Sequence, residues 1–292
     1  MQPIKYTKLT DDFFRGMRNP LTSAKLDRLA KLAEQIPLIE PLGTFINDEH
    51  YLQALHLVLE STAETKHRGY FLIKEVMPRI KNKRTLLDVG IGNGEVLKWL
   101  GRQFTEVHVI DNNLAALNNL NTTNKKILRS STILKKIPRS VEATTLPTHK
   151  FDLAILSHIL YYIDKNKWMD ILKNIYSSLK IGGIAVIILS DGHEGKKKLM
   201  HNFGNKYLDF DDFIEECSKN FGTTFESFVT DEVFHTKTLA HMLHIAAFFL
   251  LDIGTTTNKE KLEEYINTHY LQKTGNFLMT SQQKILLLTK HP

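Results

Sequence analysis

The stretch LLDVGIGNGEV at residues 86–96 decides the fold. Its first residues form a short apolar run that predicts a buried strand, and three glycines at alternate positions then lead into a helix. This G-x-G-x-G spacing differs from the G-x-G-x-x-G fingerprint of dinucleotide-binding proteins. An acidic residue, Asp88, stands two positions before the first glycine. A carboxylate there repels a pyrophosphate, so we expect the loop to hold a ligand that carries an ammonium group.

Strand and helix patterns alternate from residue 81 to residue 190, which predicts a mostly parallel sheet with helices on both faces. The predicted strands are residues 85–90, 106–111, 126–131, 151–157 and 182–190, and the predicted helices are 94–103, 114–124 and 166–180. The last third adds a helix near 210–219, a strand at 224–230, an apolar helix at 239–253 and a strand at 284–289. No helix follows this last strand, so we expect it to be antiparallel and to close the sheet.

The chain divides into two predicted regions. Residues 1–80 contain helical fragments, broken at Pro20, Pro37 and Pro41, that predict a helical cap. Residues 81–292 form the main domain, with insertions on the substrate side at about 191–250. This organisation fits 292 residues, of which 42% are hydrophobic.

The composition narrows the functional classes. A net charge of +6, from 38 basic and 32 acidic residues, is too small to indicate a nucleic-acid partner. The single cysteine, Cys217, has no second thiol for a disulfide, and no cluster of metal-binding residues is evident. The chain shows neither a signal peptide nor an apolar run that is long enough to span a membrane. We therefore expect a cytoplasmic protein with no metal.

Several motifs together resemble those of class I S-adenosylmethionine-dependent methyltransferases. They are Asp88 with its glycine loop, Asp111 at the end of the second strand, the run FDLAILSHILYYI, and the turn LKIGG at residues 179–183. The resemblance implies an α/β, Rossmann-like fold with a seven-stranded sheet, and S-adenosylmethionine as the cofactor. The cofactor-binding residues that it implies are Asp88, Gly90, Gly92, Gly94, Asp111, Asn112, Ser131 and Ser157.

A narrower resemblance extends along much of the chain. The segments HYLQALHLVLESTAETKHRGYFLIKEVMPRI, VGIGNGEV, FDLAILSHILYYI and LSDGHEGKKKLMHNFGNKY together look like the histamine N-methyltransferase family. The catalytic or acceptor-binding residues that this resemblance implies are Glu64 (or the neighbouring Ala63), His158, Tyr161 and Tyr162. His158 has an intrinsic pKa near neutrality, so it or Glu64 could remove a proton from an acceptor.

The same resemblance also shows where this chain differs from the family. Lys196 and Met200 stand where the family has two tryptophans that wall the amine pocket. A lysine repels a protonated amine, so a carboxylate-bearing small molecule fits this pocket better than histamine does.

Other methyltransferase classes lack their motifs in this sequence. Enzymes that methylate nucleobase amines place an Asn/Asp-Pro-Pro-aromatic turn where this chain has Ser-His-Ile-Leu at 157–160. We therefore expect a metal-free methyltransferase that transfers a methyl group to a nitrogen or oxygen of a small molecule. Two alternatives stay open: a non-catalytic protein that binds S-adenosylmethionine, and a methyltransferase that acts on RNA or protein. The sequence does not indicate an oligomeric state.

Overall fold

The computed structural model describes residues 6–15, 17, 21–39, 42, 47–191, 194–203, 210–250 and 258–292. The strands are β1 (Thr7–Lys8), β2 (Thr85–Val89), β3 (Glu106–Ile110), β4 (Ile133–Ile137), β5 (Phe151–Ser157), β6 (Leu179–Asp191), β7 (Phe225–Thr236) and β8 (Phe277–Thr289). The α-helices are α1 (Ser23–Gln35), α2 (Asp48–Glu60), α3 (Glu64–Phe71), α4 (Glu95–Leu100), α5 (Leu114–Ile127), α6 (Trp168–Ser178), α7 (Glu194–Phe203), α8 (Asp211–Phe221), α9 (Leu239–Phe249) and α10 (Lys259–His269).

The strands form one sheet in the order β1-β7-β8-β6-β5-β2-β3-β4. All neighbouring pairs are parallel except those made by β8, which is antiparallel to both β6 and β7. The mostly parallel sheet and its antiparallel last strand are therefore confirmed. The sheet has eight strands and not seven, because Thr7–Lys8 pairs with Phe228 and Val229. Two residues are too few to show a strand pattern in the sequence.

The strand predicted at residues 126–131 is wrong. Helix α5 continues to Ile127, and the strand begins only at Ile133. The apolar pair Ile127 and Leu128 is buried at the end of this helix region, so it does not belong to a strand. The observed strand has the sequence ILKKI and lies at the sheet edge, where polar side chains replace the continuous apolar pattern of a central strand.

The sheet has a hydrophobic core on each face. Leu86 of β2 belongs to one core, together with residues of α3 and α4, whereas Leu87 belongs to the other, together with residues of α6 and α8. This separation follows from the alternation of side chains along a strand. Every residue of β2 is buried, as expected for a central parallel strand. The two cores hold the parallel strands so that their carboxyl ends lie together at one end of the sheet. Open α/β sheets of this kind bind ligands at that end.

A third core joins the N-terminal helices to the last third of the chain. Buried residues of α2, α7, α9 and α10 form it. Helix α1 ends at Gln35, before Pro37, whereas Pro20 and Pro41 lie outside the described residues. The cap boundary near residue 80 stays a prediction. Of the helices that the structure describes, none combines the length and the apolar character needed to cross a bilayer.

Candidate functional site

The glycine loop follows β2 directly and places its backbone at the carboxyl edge of the sheet. Gly90, Gly92 and Gly94 all have positive φ, at 74°, 50° and 75°. A Cβ atom on Gly90 would lie 2.0 Å from Cγ2 of Ile159, which follows β5. A Cβ atom on Gly92 or Gly94 would meet nothing within 4 Å. The loop therefore packs tightly against the β5 end at its first glycine and leaves space beside the other two.

Asp88 is a buried carboxyl at the end of β2. It is 1% exposed, and neither of its oxygens has a hydrogen-bond partner among the residues that the structure describes. Burial and the nearby carboxylate of Asp111 raise the pKa of Asp88 to about 8, and Arg68 offsets part of this rise. An unpartnered buried carboxyl is costly to a folded protein. Its acceptor atoms are available to a ligand that donates hydrogen bonds or carries positive charge.

Asp111 follows β3, and its side chain connects the end of this strand to the glycine loop. Its Oδ2 accepts a hydrogen bond from the backbone N–H of Ile91 at 2.9 Å, and its Oδ1 accepts one from Asn113 at 2.8 Å. A carboxylate has about four lone-pair sites, so Asp111 keeps two for further donors. Asn112 lies next to it and is exposed. The structure thus brings Asp88, the glycine loop and Asp111 together at the carboxyl edge of the sheet.

His158 follows the half-buried Ser157 at the end of β5, in an unusual backbone conformation. Its φ is 57°, which is rare for a residue other than glycine and is often found at functional sites. Its Nδ1 lies 3.2 Å from the Tyr161 hydroxyl, and its Nε2 lies 3.0 Å from Oε1 of Glu64. Both ring nitrogens therefore have a polar neighbour that fixes the orientation of the ring.

Glu64, the first residue of α3, is the carboxylate that faces His158. The preceding Ala63 only caps the helix, so Glu64 and not Ala63 points inward. Oε1 of Glu64 also accepts a hydrogen bond from Nε2 of Gln283 at 2.8 Å. Burial opposes ionisation, but His158, Arg68 and Lys196 outweigh it and lower the pKa of Glu64 to about 2.

The protonation pattern of this pair follows from its surroundings. Burial lowers the pKa of His158, helped by the positive charges of Arg68 and Lys196 and opposed by Glu64. We therefore assign a neutral imidazole beside an ionised carboxylate. Nδ1 lies within hydrogen-bond distance of the Tyr161 hydroxyl, whereas Nε2 makes no hydrogen bond with a described residue, so its contact with Glu64 is electrostatic.

The two tyrosines after β5 have different environments. The hydroxyl of Tyr161 accepts a hydrogen bond from the backbone N–H of Ser190, and its ring packs against Phe210 at 5.7 Å. Tyr162 is 60% exposed, and its hydroxyl lies 3.2 Å from the hydroxyl of Tyr51 on α2. Only Tyr161 joins the network of His158, whereas Tyr162 contacts the N-terminal helices.

Lys196 of α7 is buried close to this network. Its Nζ donates to Oγ of Ser190 at 2.8 Å and lies 4.1 Å from the centre of the Phe249 ring. Burial lowers the pKa of Lys196 to about 8, against the opposing effect of Glu64 and Asp191. The ammonium is therefore already partnered by Ser190 and by the Phe249 ring.

The structure contradicts the position predicted for one cofactor-binding residue, Ser131. Because β4 begins at Ile133, Ser131 lies before the strand, in an exposed turn at the amino edge of the sheet. The carboxyl end of β4 is instead at Ile137. The error follows directly from the misplaced strand at 126–131.

Sequence reasoning missed two buried polar residues of the site, Arg68 and Gln283. Arg68 is 4% exposed, and its Nη1 has no hydrogen-bond partner among the described residues. Gln283 is fully buried in the centre of β8. The available signal for Arg68 was its spacing of four residues after Glu64, which places both on one face of a helix. Gln283 interrupts an apolar strand, and this break was the signal for it.

Two histidines of α9 make defined polar contacts, and the absence of a metal stays a prediction. His241 Nε2 lies 2.8 Å from Oγ of Ser61, and His244 Nε2 lies 3.0 Å from the carbonyl oxygen of Ala33. Both bonds tie α9 to the N-terminal helices. Within the described ranges, no three His, Cys, Asp or Glu side chains form a group that could hold a metal ion.

A family model described as a methyltransferase domain matches residues 65–219. No curated protein sequence matches the chain. The match begins one residue after Glu64 and includes the rest of α3, the glycine loop, His158 and Tyr161.

Solved structures share the fold at low sequence identity. One is the YcgJ protein of Bacillus subtilis, with a TM-score of 0.54, 11% identity and coverage of 77% of this chain and 100% of that chain. Another, from Bacillus halodurans and provisionally assigned as a methyltransferase, has a TM-score of 0.54, 12% identity and coverage of 76% and 99%. A phosphoethanolamine N-methyltransferase of Haemonchus contortus, in complex with phosphomonomethylethanolamine and S-adenosylhomocysteine, has a TM-score of 0.50, 14% identity and coverage of 77% and 53%.

Proposed function

The chain belongs to the methyltransferase domain family, since the family model covers more than half of it, and we propose that it methylates a small molecule with S-adenosylmethionine as donor. The observation that carries the proposal is Asp88, a buried carboxyl without a partner at the end of β2. Asp88 lies at the same end of the sheet as the open glycine loop and Asp111, at the carboxyl ends of β2 and β3. These groups suit a ligand with an ammonium group and a ribose.

The residues fit the cofactor chemically. The Asp88 oxygens are available to an ammonium group, and the free lone pairs of Asp111 suit ribose hydroxyls. The space beside Gly92 and Gly94 admits a ligand close to the backbone. S-adenosylmethionine supplies an activated methyl group on a sulfonium, so the acceptor needs only alignment and a free lone pair. Asn112 and Ser157 stay predicted cofactor contacts at this edge.

We place the acceptor site beside the cofactor site, at the network of Glu64, His158 and Tyr161. Nδ1 of the neutral imidazole accepts the proton in this proposal, and the negative charge of Glu64, 3.0 Å from Nε2, stabilises the imidazolium that forms. The Tyr161 hydroxyl gives its proton to Nδ1 as it takes one from the acceptor. Tyr162 stays a predicted acceptor contact at the outer side of the site.

The acceptor class is a small molecule with a methylatable nitrogen or oxygen. The Haemonchus contortus protein carries a small amine in a related fold, which supports this class. The finer resemblance to the histamine N-methyltransferase family is supported by Glu64, His158 and Tyr161 meeting in one network. It is weakened at Lys196, where a buried ammonium replaces an aromatic wall.

Turnover tests the proposed function. The protein is incubated with S-adenosylmethionine and separate panels of amines, imidazoles, small carboxylates and hydroxylated aromatics, and the release of S-adenosylhomocysteine is measured. We expect release with at least one small molecule. RNA and protein are tested in the same assay, and release only with one of these would support the alternative acceptor class. Cofactor binding without release in any panel would support a non-catalytic protein.

Glu64→Gln tests the acceptor network, once an acceptor is known. A neutral amide does not stabilise the imidazolium, so we expect kcat to fall by about 10²-fold or more. Affinity for S-adenosylhomocysteine, measured by calorimetry, should change less than threefold. Glu260→Gln, an exposed change on α10, is the matched control and should leave both unchanged. Wild-type kcat in Glu64→Gln would remove Glu64 from the mechanism.

A further inference from the structure

The N-terminal segment, residues 6–14, is attached to the edge of the sheet beside β7. Lys8 of β1 lies opposite Val229 of β7 in a parallel pair, and β1 is the outermost strand on that side. The backbone N–H of Leu9 donates to the carbonyl oxygen of Val229 at 2.8 Å. Nζ of Lys8 lies 2.6 Å from Oδ2 of Asp231. These contacts fix the start of the segment to β7.

The N-terminal segment ends on helix α3. The ring of Phe14 stacks on the imidazole of His67, with the ring centres 4.2 Å apart and the planes inclined by 29°. Phe14 is buried, and the neighbouring Phe13 contacts the Tyr70 ring edge-on at 5.8 Å. His67 is therefore the residue of α3 on which the last ring of the segment lies.

The same imidazole connects α3 to β7. Nδ1 of His67 lies 2.8 Å from Oε1 of Glu232, within hydrogen-bond distance. Glu232 is 2% exposed, and its Oε2 has no hydrogen-bond partner among the described residues. A buried carboxyl is costly unless it is hydrogen-bonded, so the contact with His67 holds both partners in place. His67 thus contacts the N-terminal segment and β7 at once.

A second contact attaches α3 to the sheet one helical turn earlier. Nε2 of Gln283 on β8 donates to Oε1 of Glu64 at 2.8 Å. Strands β7 and β8 are antiparallel neighbours in which Glu232 lies opposite Ser281, so Gln283, two residues along β8, faces the same side. Glu64 and His67 are three residues apart on one side of α3. One side of this helix is therefore bonded at two points to one face of the sheet.

The orientation of α3 decides where Glu64 lies. Helix α3 has only eight residues, and a helix of this length is not stable alone, so tertiary contacts set its position. Glu64 is its first residue, and Oε1 of Glu64 lies 3.0 Å from Nε2 of His158. A shift or rotation of α3 changes this distance. The contacts of His67 restrict such a movement from the next turn of the helix.

We infer that His67 is a positioning residue, which holds Glu64 against His158 by fixing α3 between the N-terminal segment and β7. This role rests on the proposed function, which gives the pair of Glu64 and His158 its part in methyl transfer. His67 acts through Glu64 and takes no part in the proton transfer itself. The N-terminal segment is accordingly part of the catalytic assembly, because it covers His67.

Nitrogen NMR of isotope-labelled histidine rings tests the inference and needs no acceptor. The variant His158→Asn identifies the two ring signals of His158 by their loss, and Glu64→Gln gives their positions when the carboxylate is absent. In His67→Ala we expect both signals to move from the wild-type positions toward those of Glu64→Gln. His56→Ala, which removes an exposed histidine of α2, is the matched control and should leave both signals in place.

Two milder variants separate the two sides of the imidazole. His67→Asn keeps an N–H donor near the position of Nδ1 and loses the stacked ring, whereas Phe14→Leu keeps the apolar bulk and loses the stacking. We expect each to move the His158 signals in the same direction as His67→Ala, but less far. If His67→Ala does not fold, these two variants still decide the question.

Kinetics adds a second measurement once an acceptor is known. In His67→Ala we expect kcat to fall by about 10-fold, because the carboxylate is no longer held at the imidazole. The KM for S-adenosylmethionine should change less than about threefold, because the contact does not belong to the cofactor site. A general loss of the fold would instead change both constants.

The other results would contradict the inference. Unchanged His158 signals in folded His67→Ala would show that other packing holds α3, such as that of Gly69, where a Cβ would lie 2.1 Å from Cε2 of Trp99. Unchanged signals in Phe14→Leu would overturn the part of the N-terminal segment. Identical signals in Glu64→Gln and the wild type would show that Glu64 does not face His158.

These results are distinct from a failure of the proposed function. If the His158 signals move as expected but the protein neither binds S-adenosylhomocysteine nor releases it with any acceptor, the positioning of Glu64 stands and the proposed function fails.

Discussion

Asp88 shows how a binding group can reduce the stability of the ligand-free protein. Its carboxyl is buried without a partner, and burial raises its pKa to about 8. The pKa of Asp88 is higher in the folded than in the unfolded state, where it is about 4. The group therefore contributes fully to the stability of the folded protein only below about pH 4, and this contribution is lost as the pH rises through about 8. A ligand with an ammonium group reverses the effect, because it favours the ionised form.

Asp88→Asn should therefore increase stability and reduce binding. At pH 8 and without ligand, we expect the variant to melt at a higher temperature than the wild type, by roughly 2–4 °C for each kcal/mol gained. Its affinity for S-adenosylhomocysteine should fall at least tenfold, since it has lost the charged acceptor. Scanning calorimetry and titration calorimetry measure the two effects. Asp170→Asn, an exposed change on α6, is the control, and a lower melting temperature for Asp88→Asn would contradict the assignment.

The residues of the site were predictable to different degrees. Asp88, the glycines and Asp111 are neighbours of strand ends, so local sequence places them. Glu64, His158 and Tyr161 came from a resemblance, and the structure brings them together. Gln283 lies 219 positions from Glu64, and no local pattern shows which distant side chain completes a buried network. Nη1 of Arg68 has no partner among the described residues, so the spacing of four residues after Glu64 was the one signal in the sequence for Arg68.

At the scale of elements, the glycine loop and the end of β5 pack as a unit. Gly90 faces Ile159 so closely that a Cβ would lie 2.0 Å from its side chain, whereas Gly92 faces open space. Both have positive φ, which costs other residues about 1–2 kcal/mol. The two glycines therefore separate a backbone effect from a packing effect.

Gly90→Ala and Gly92→Ala measure this difference. Both variants are destabilised by the positive φ, and only Gly90→Ala is destabilised further by overpacking, by about 1–3 kcal/mol. We expect Gly90→Ala to have the lower free energy of unfolding in urea, and Ile159→Ala to restore part of the loss in the double variant. Equal stability of the two single variants would show that the loop and the β5 end do not pack in this way.

Element prediction succeeded where burial imposes a clear pattern. Strands β2, β3, β5 and β6 are buried and flanked by helices, so their apolar runs are visible in the sequence. Strand β4 was misplaced because an edge strand with two lysines has no such run. The two-residue β1 was missed because its pairing with β7 depends on tertiary contacts alone.

For the whole molecule, the N-terminal helices form part of the enclosure of the site. Helix α3 supplies Glu64 and Arg68, and Tyr51 of α2 reaches the hydroxyl of Tyr162 beyond β5. The bond between His244 and the carbonyl oxygen of Ala33 fixes α1 to α9. Composition and periodicity predicted a helical cap over an α/β domain. They could not show that the N-terminal helix α3 contributes Glu64 and Arg68 to the candidate site.

The binding of S-adenosylhomocysteine tests the central claim most directly. Titration calorimetry should show one saturable site in the wild type. Asp111→Ala should bind about 10-fold or more weakly, because it loses hydrogen bonds to a charged acceptor worth about 1.5–3 kcal/mol each. No binding at millimolar ligand, or equal affinity in Asp111→Ala, would contradict a cofactor site at the ends of β2 and β3.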